Sequence, residues 1–225
     1  MSTAADWPAP LAPEFAGTIV VLEPAAERHR LPLRAAAAAG GEDTFRWIGE
    51  HAGADAALWD AYFDEMLAAS AAGTEAAFVT CDAATREPVG SSRYLALRPA
   101  DRALEIGHTW LTRARWRTGA NQEAKLLMLG HAFDALGCVR VELKTDSRNH
   151  RSRRAMEGIG ARFEGIHRKH RIVPRIGTRH TAWYSILDRD WPERKAAFEA
   201  WLDPANFDAQ GRQRTPLARP REGRP

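Results

Sequence analysis

TRARWRTGANQEAKLLMLGHAFDAL, from Thr112 to Leu136, is the passage from which the fold is read. Its first part is basic and turn-rich, with Arg113, Arg115, Arg117 and Thr118 leading to a single glycine, Gly119. A long apolar helix follows, carrying Ala124, Leu126, Leu127, Leu129, Phe133 and Leu136 at mixed i+3/i+4 spacing, so a wide stripe is expected to face a core. A short strand, Ala103 to Leu111, comes just before it. Strand, basic glycine turn and helix N-terminus together can hold a pyrophosphate. The first-turn N–H groups have no partners within the helix, the helix dipole favours an anion there, and arginines add charge-assisted hydrogen bonds. One glycine is a weak signal, and the same residues also suit an ordinary strand-to-helix connection with solvated arginines.

Strands surround this passage. Upstream, Thr18 to Leu22 is a β-branched run, Ala76 to Cys81 and Val89 to Leu97 are further strands, and with Ala103 to Leu111 they imply an antiparallel meander. Downstream, Cys138 to Thr145 alternates as a half-buried strand, and strand–helix–strand spacing of this length suggests a crossover to a parallel neighbour. Phe163 to Ile172 and Arg179 to Leu187 form a closing hairpin. Helices are expected over Ala25 to Ala39 (closed by Gly40 and Gly41), over Ala54 to Ala72 with Leu58, Tyr62, Met66 and Ala69 on one face, and from Asn149 as N-cap to Glu157. Asp190 to Glu193 reads as a capping box opening a last helix to about Leu202. The reading is thus an α+β domain over residues 18–202, a mixed, mostly antiparallel twisted sheet of about seven strands flanked by helices. An irregular lead-in covers 1–17, and a Pro/Arg-rich tail that does not pack covers 203–225.

The chain of 225 residues is 44% hydrophobic, enough for a sizeable core, and its formal net charge is +3. No apolar run reaches the ~18 residues of a membrane helix, and the N-terminus lacks a charged segment followed by an apolar one. Cys81 and Cys138 sit singly in apolar strand-like runs without metal-type spacing, as small hydrophobes in a reduced, cytoplasmic protein. No metal site is expected.

Four passages in this order resemble the GCN5-related N-acetyltransferase (GNAT) superfamily, and within it the RimJ/RimL-like branch: LEPAAERH (Leu22 to His29), ALEIGHTWL (Ala103 to Leu111), WRTGANQEAKLLMLGHAF (Trp116 to Phe133) and TDSRNHRSRRAMEGIGARFEGIHRKH (Thr145 to His170). The resemblance covers about Thr18 to Trp201 and implies a GNAT-like fold with acetyl-CoA as co-substrate. In the family's phosphate loop, Gln/Arg-x-x-Gly-x-Gly/Ala, this chain has Trp116 at the first position and Asn121 at the last, and keeps Gly119. The resemblance assigns cofactor contacts to Arg115, Arg117, Thr118, Gly119, Ala120 and Asn121, and to the backbone of Trp110, Leu111 and Thr112. It also assigns them to Asn149 and Ser152 of an Asn-x-x-Ser helix start. The family's frequent tyrosine four residues after that serine position is Met156 here, which leaves Ser152 to assist the leaving thiolate. Members of the superfamily are often homodimers.

Acetyl transfer to an amine needs a base for an ammonium of pKa near about 10, an aligned thioester and a donor for the oxyanion. It needs no covalent enzyme intermediate. Glu105 on the strand before the turn is the first candidate base, His108 the second and His170 a weaker third. Strict alternation sets Glu105, Gly107, Thr109 and Leu111 on one face and Ile106, His108 and Trp110 on the other, so Glu105 and His108 are rivals unless a bulge intervenes. The expected acceptor is an amine-bearing small molecule or a peptide N-terminus. Trp47, Trp59, Tyr62 and Phe63 are read as core rather than substrate cage. Two rival functions remain: a non-catalytic acyl-CoA sensor, and a nucleic-acid binder using the arginines between Arg148 and Arg179, for which no nucleic-acid motif is present.

Overall fold

The computed structural model describes residues 7–40, 45–48, 55–174, 176–208, 214–215 and 217. Eight strands form one sheet: β1 (Phe15–Ala16), β2 (Val20–Pro24), β3 (Ala76–Asp82), β4 (Pro88–Arg98), β5 (Ala103–Leu111), β6 (Arg140–Asp146), β7 (Arg162–Val173) and β8 (Gly177–Leu187). Their order is β1-β2-β3-β4-β5-β6-β8-β7. Only β5 and β6 run parallel; every other neighbouring pair is antiparallel. The additional strand is β1, two residues too short to alternate visibly, which pairs Phe15 with Leu22.

Helices cover the sheet unequally. On one face lie α3 (Ala120–Gly130), continued by a π turn at His131–Ala135, and α5 (Trp191–Leu202). They bury Leu22, Phe78, Tyr94, Leu104, Ile106, Val141 and Tyr184 beneath Met128, Leu129, Ala132 and Phe198. The other face carries α1 (Arg30–Gly40) over β4 and α2 (Ala56–Ala71) over β3, with Leu33, Trp59, Tyr62, Phe63 and Met66 clustered with Ala77, Val79, Cys81 and, from β5, Trp110. Each such apolar side chain contributes roughly 1.5–3 kcal/mol through burial. α4 (His150–Gly158) follows β6.

Several local expectations are corrected. On α2, Tyr62 and Met66 are buried as expected, but Trp59 and Phe63 complete the stripe, whereas Leu58 is 39% exposed and Ala69 half-buried. On α3 and the turn after it, Ala124, Leu129, Phe133 and Leu136 are buried as expected, Leu126 and Leu127 are only half-buried, and Ala120 and Met128 join the core. Asp190 makes no capping bond, because it already has helical φ/ψ at the end of the 3-10 turn Asp188–Asp190. The lead-in is not loose: Trp7 and Leu11 are buried in the main core. Leu217 of the tail packs against the same cluster, and the Thr215 N–H donates to Asn206 Oδ1. Gly41, which was to close α1 after Gly40, the segment 49–54, Arg175 and most of the tail lie outside the described residues.

Candidate active site

The parallel pair β5–β6 is joined at three positions only, Ala103↔Arg140, Leu104↔Val141 and Glu105↔Glu142. Beyond them the strands part, leaving residues 106–111 and 143–146 unpaired with each other across a gap. Glu105 stands at the vertex, 2% exposed, and Lys144 from the next strand sets Nζ 2.5 Å from its Oε2. That ion pair is the one charged contact made by Oε2 among the described residues. Burial pushes the Glu105 carboxyl above its ordinary value, and the Lys144 ammonium opposes that rise.

A bulge then re-aims β5. Arg93 pairs with Gly107 and Ser91 with Trp110, so His108 and Thr109 together oppose Ser92 alone. His108 takes the left-handed conformation, φ 47°. Strict alternation therefore fails. Thr109 turns toward α3, where Lys125 Nζ donates to its Oγ1 at 2.7 Å, and Leu111 enters the core under α3. His108 joins Glu105 on the opposite face, within the fields of Arg93 and Lys144. Burial first, then those cations with Arg171 and Arg179, pushes the His108 imidazole down to about 3. A ring that stays neutral at ordinary pH is a poor base, whereas a carboxyl raised toward neutrality is a better one; the bulge brings the two together and their surroundings drive them apart.

This face is rich in unsatisfied polar atoms. Among the described residues, Tyr62 Oη, Arg93 Nε, His108 Nδ1, Trp110 Nε1 and Trp183 Nε1 are buried without hydrogen-bond partners. They are linked in space: the Arg93 guanidinium lies over Tyr62 at 4.9 Å, and Lys144 Nζ over Trp183 at 4.9 Å. His170, on β7, shares the face; its Nδ1 lies 3.0 Å from Thr181 Oγ1 and its ring packs against His167 and Trp183. Burial, then Lys144, holds the His170 ring below its usual pKa. Native folds rarely leave so many buried polar groups unpaired, and substrate or water is the natural partner.

The turn ahead of α3 leaves backbone donors at the helix start. Gly119 is the N-cap at φ 87°, and the first N–H to bond back along the helix is that of Glu123, to the Gly119 carbonyl at 2.9 Å. The N–H groups of Ala120, Asn121 and Gln122 are thus free of intrahelical acceptors. Among the side chains of the turn, Arg115 is engaged by Asp82, Nη2 to Oδ2 at 2.5 Å, and Thr118 Oγ1 donates to the Arg115 carbonyl. Arg117 is exposed, with φ 64°. On β5, Thr112 N–H donates to Val89, and by alternation Leu111 points its backbone groups into the gap. There the Leu111 carbonyl accepts from Trp116 Nε1 at 2.9 Å, so its N–H is the group left for a ligand.

Across the gap, Asn149 is the N-cap of α4, its Oδ1 accepting from Ser152 N–H at 3.1 Å. The Ser152 hydroxyl is half-exposed and makes no hydrogen bond among the described residues. Arg151 lies over the Trp116 ring at 4.2 Å and so joins the start of α4 to the phosphate turn. A 250 Å³ cavity beside it is lined by Arg46, Trp47, Arg148, Asn149, His150 and Arg151. Much of the basic run is spent within the fold: Arg148 on Asp146, Arg153 on Tyr184 and Phe163. Among the described residues no group of three or more His, Cys, Asp or Glu is placed to hold a metal, and no helix is long and apolar enough to cross a membrane. Both cysteines are free and buried, and burial pushes each thiol up to about 12.

Sequence reading missed Arg93, Lys144 and Lys125. Each had a signal: Arg93 is the lone charge inside the strand Val89 to Leu97, and Lys144 alternates with Glu142 on the downstream strand. Lys125 stands at i of the buried set Met128, Leu129 and Ala132.

The GNAT acetyltransferase domain model matches residues 20–162, and the whole fold overlays a GCN5-related N-acetyltransferase from Brucella melitensis at TM-score 0.86, 36% identity, over 94% of this chain and 96% of that one. The chain belongs to the GNAT acetyltransferase family. Its fold is also that of Mycobacterium smegmatis RimJ in complex with CoA-disulfide (TM-score 0.70, 22% identity, 87% and 95% covered). The ribosomal-protein-S5-alanine acetyltransferase from Vibrio fischeri is a further structural neighbour (0.65, 16%, 80% and 98%). No curated protein is significantly similar in sequence. As a GNAT acetyltransferase the protein is an acyl-transferring enzyme of a family that uses acetyl-CoA.

Proposed function

We propose that this GNAT enzyme moves the acetyl group of acetyl-CoA directly to a primary amine, on a small molecule or a peptide N-terminus, with Glu105 as the base. The observation that carries the reading is the Glu105 carboxyl at the vertex of the parted strands, buried, raised in pKa and paired only with the Lys144 ammonium among the described residues. The chain's residues fit the donor: three free N–H groups at the start of α3 suit a pyrophosphate, and the Leu111 N–H faces the gap a pantetheine arm would fill. Bound there, acetyl-CoA supplies the activated acyl group. Glu105 accepts the ammonium proton, and the Lys144 ammonium beside it favours the ionised carboxylate that the task needs. His108, neutral, offers its Nδ1 as a hydrogen-bond partner for the acceptor rather than as the base. Ser152 donates its hydroxyl toward the departing thiolate from the first turn of α4. A RimJ/RimL-like placement, with a peptide N-terminus as acceptor, is supported by the passage from Trp116 to Phe133.

The test is calorimetric titration with acetyl-CoA, followed by thiol release against a panel of amines. Micromolar binding and amine-dependent thiol release are expected. Failure to bind ends the donor assignment. Binding with no release for any amine, terminal or small-molecule, leaves the acyl-CoA sensor in its place.

A further inference from the structure

Two arginines face each other on the hairpin that closes the acceptor face: Arg171 of β7 and Arg179 of β8 are register partners. Like charges directly opposite on neighbouring strands are destabilising. No carboxylate of the described residues forms an ion pair with either one. Arg179 is half-buried, and its Nε donates to Thr181 Oγ1 at 3.1 Å. Asp146, whose charge acts on Arg179, is already held by Arg148 through Nε–Oδ1 at 2.9 Å and Nη2–Oδ2 at 2.8 Å. The other cations of this face are matched: Arg93 by Glu75 at 3.1 Å and Lys144 by Glu105 at 2.5 Å. The surplus positive charge therefore belongs to Arg171 and Arg179. Thr181 Oγ1, which Arg179 Nε reaches, also lies 3.0 Å from His170 Nδ1; the His170 ring packs on Trp183, and Lys144, the partner of Glu105, sits over that same Trp183, so the surplus shares the face of the base.

A half-buried guanidinium with most of its donors unused is shaped for a carboxylate, which it can take through two parallel bonds. Resting on the acetyl-transfer reading above, we propose that Arg179, with Arg171 alongside, docks a carboxylate of the acceptor. The acceptor is then an amine with a carboxylate a few bonds away, as in a free amino acid or an acidic first residue of a peptide. Amines that bring only positive charge, such as polyamines, are repelled by the same pair.

The experiment is thiol release from acetyl-CoA with matched acceptors: amino acids against their carboxamides, and Asp- or Glu-initiated dipeptide amides against their Asn and Gln counterparts. The first set reports a free amino acid, the second an acidic terminus. The carboxylate member of at least one set should have kcat/KM about tenfold or more above its amide. Arg179→Gln should raise KM for that acceptor and collapse the difference, Arg179→Lys should keep part of it, and acetyl-CoA titration of the variants checks that they are folded. Equal rates within both sets in the wild type, or equal loss for both members in Arg179→Gln, overturns the subsite. If no amine is turned over, titration with succinate against succinamide decides separately. Succinate binding that Arg179→Gln abolishes sustains the carboxylate subsite while the transferase reading fails; no succinate binding overturns the subsite as well.

Discussion

Lys144 reaches over from β6 and sets its ammonium 2.5 Å from Glu105 Oε2, at the last position where β5 and β6 pair. The ion pair and the burial act on the carboxyl in opposite directions, with burial the larger. The acid limb of kcat/KM should therefore lie above the usual carboxylate range, because the base works only when ionised. Lys144→Met should move the limb to still higher pH. Glu105→Gln should remove it and lower kcat while acetyl-CoA affinity stays nearly the same. Wild-type turnover by Glu105→Gln would take Glu105 out of the mechanism.

Much of this arrangement was legible in the chain. The antiparallel meander and the parallel step followed from the spacing of the upstream strands, the glycine turn and Cys138 to Thr145, because a connection long enough to hold a helix favours a crossover, whereas the insertion of β8 between β6 and β7 did not. What alternation could not give was the bulge at His108 and Thr109. One inserted residue costs nothing in composition, yet it moves every later side chain of β5 to the other face. Glu105 and His108 were therefore read as alternatives when they are neighbours. For Lys144 and Arg179 it was the pairing that could not be read: Glu105 and Arg171 lie on other strands, and only register shows which charges meet.

Gly119 has φ 87°, and a Cβ there would come within 2.9 Å of Ile19 Cδ1. A side chain in this conformation costs about 1–2 kcal/mol before any clash is counted. Gly119→Ala and Gly119→Asp should both lower stability by that order. Only the aspartate puts a negative charge where a pyrophosphate should lie, so its acetyl-CoA affinity should fall about tenfold or more below that of the alanine variant. Calorimetric titration of the pair separates strain from charge. Matching affinities would mean that the start of α3 is not the phosphate cradle.

Lys125 is buried at 5% exposure, bonded to Thr109 Oγ1 at 2.7 Å and to Ser92 Oγ at 3.4 Å, and ion-paired to no carboxylate among the described residues. Burial pushes its pKa down from 10.5 to about 7. The unfolded chain then binds more protons than the folded one between those values, so stability should rise as pH increases from about 7 to 10.5. Lys125→Met should flatten that slope and raise Tm near neutrality, by on the order of a few kcal/mol less the two lost hydrogen bonds. Thermal melts across the range check it. An unchanged slope would show that Lys125 keeps its charge in the fold.

Glu123 ties the cofactor helix to the edge of the sheet. Its Oε1 accepts from the Thr18 N–H and Oγ1, each at 2.8 Å, and its Oε2 from the N–H groups of Ile19 and Val20, each at 2.7 Å. Helix α3 cannot shift without leaving these donors unpaired, and a buried orphan donor costs about 1–3 kcal/mol. Glu123→Gln turns one accepting oxygen into a donor, so it should destabilise the protein by about 2–4 kcal/mol, read as a lower denaturation midpoint at constant m-value. Because the same helix begins with the free N–H groups at Ala120 to Gln122, the variant should also bind acetyl-CoA more weakly under conditions where it remains folded. Loss of stability with full acetyl-CoA affinity would mean that the clamp serves only the core. A change below about 0.5 kcal/mol would mean that the carboxylate does not hold the strand at all.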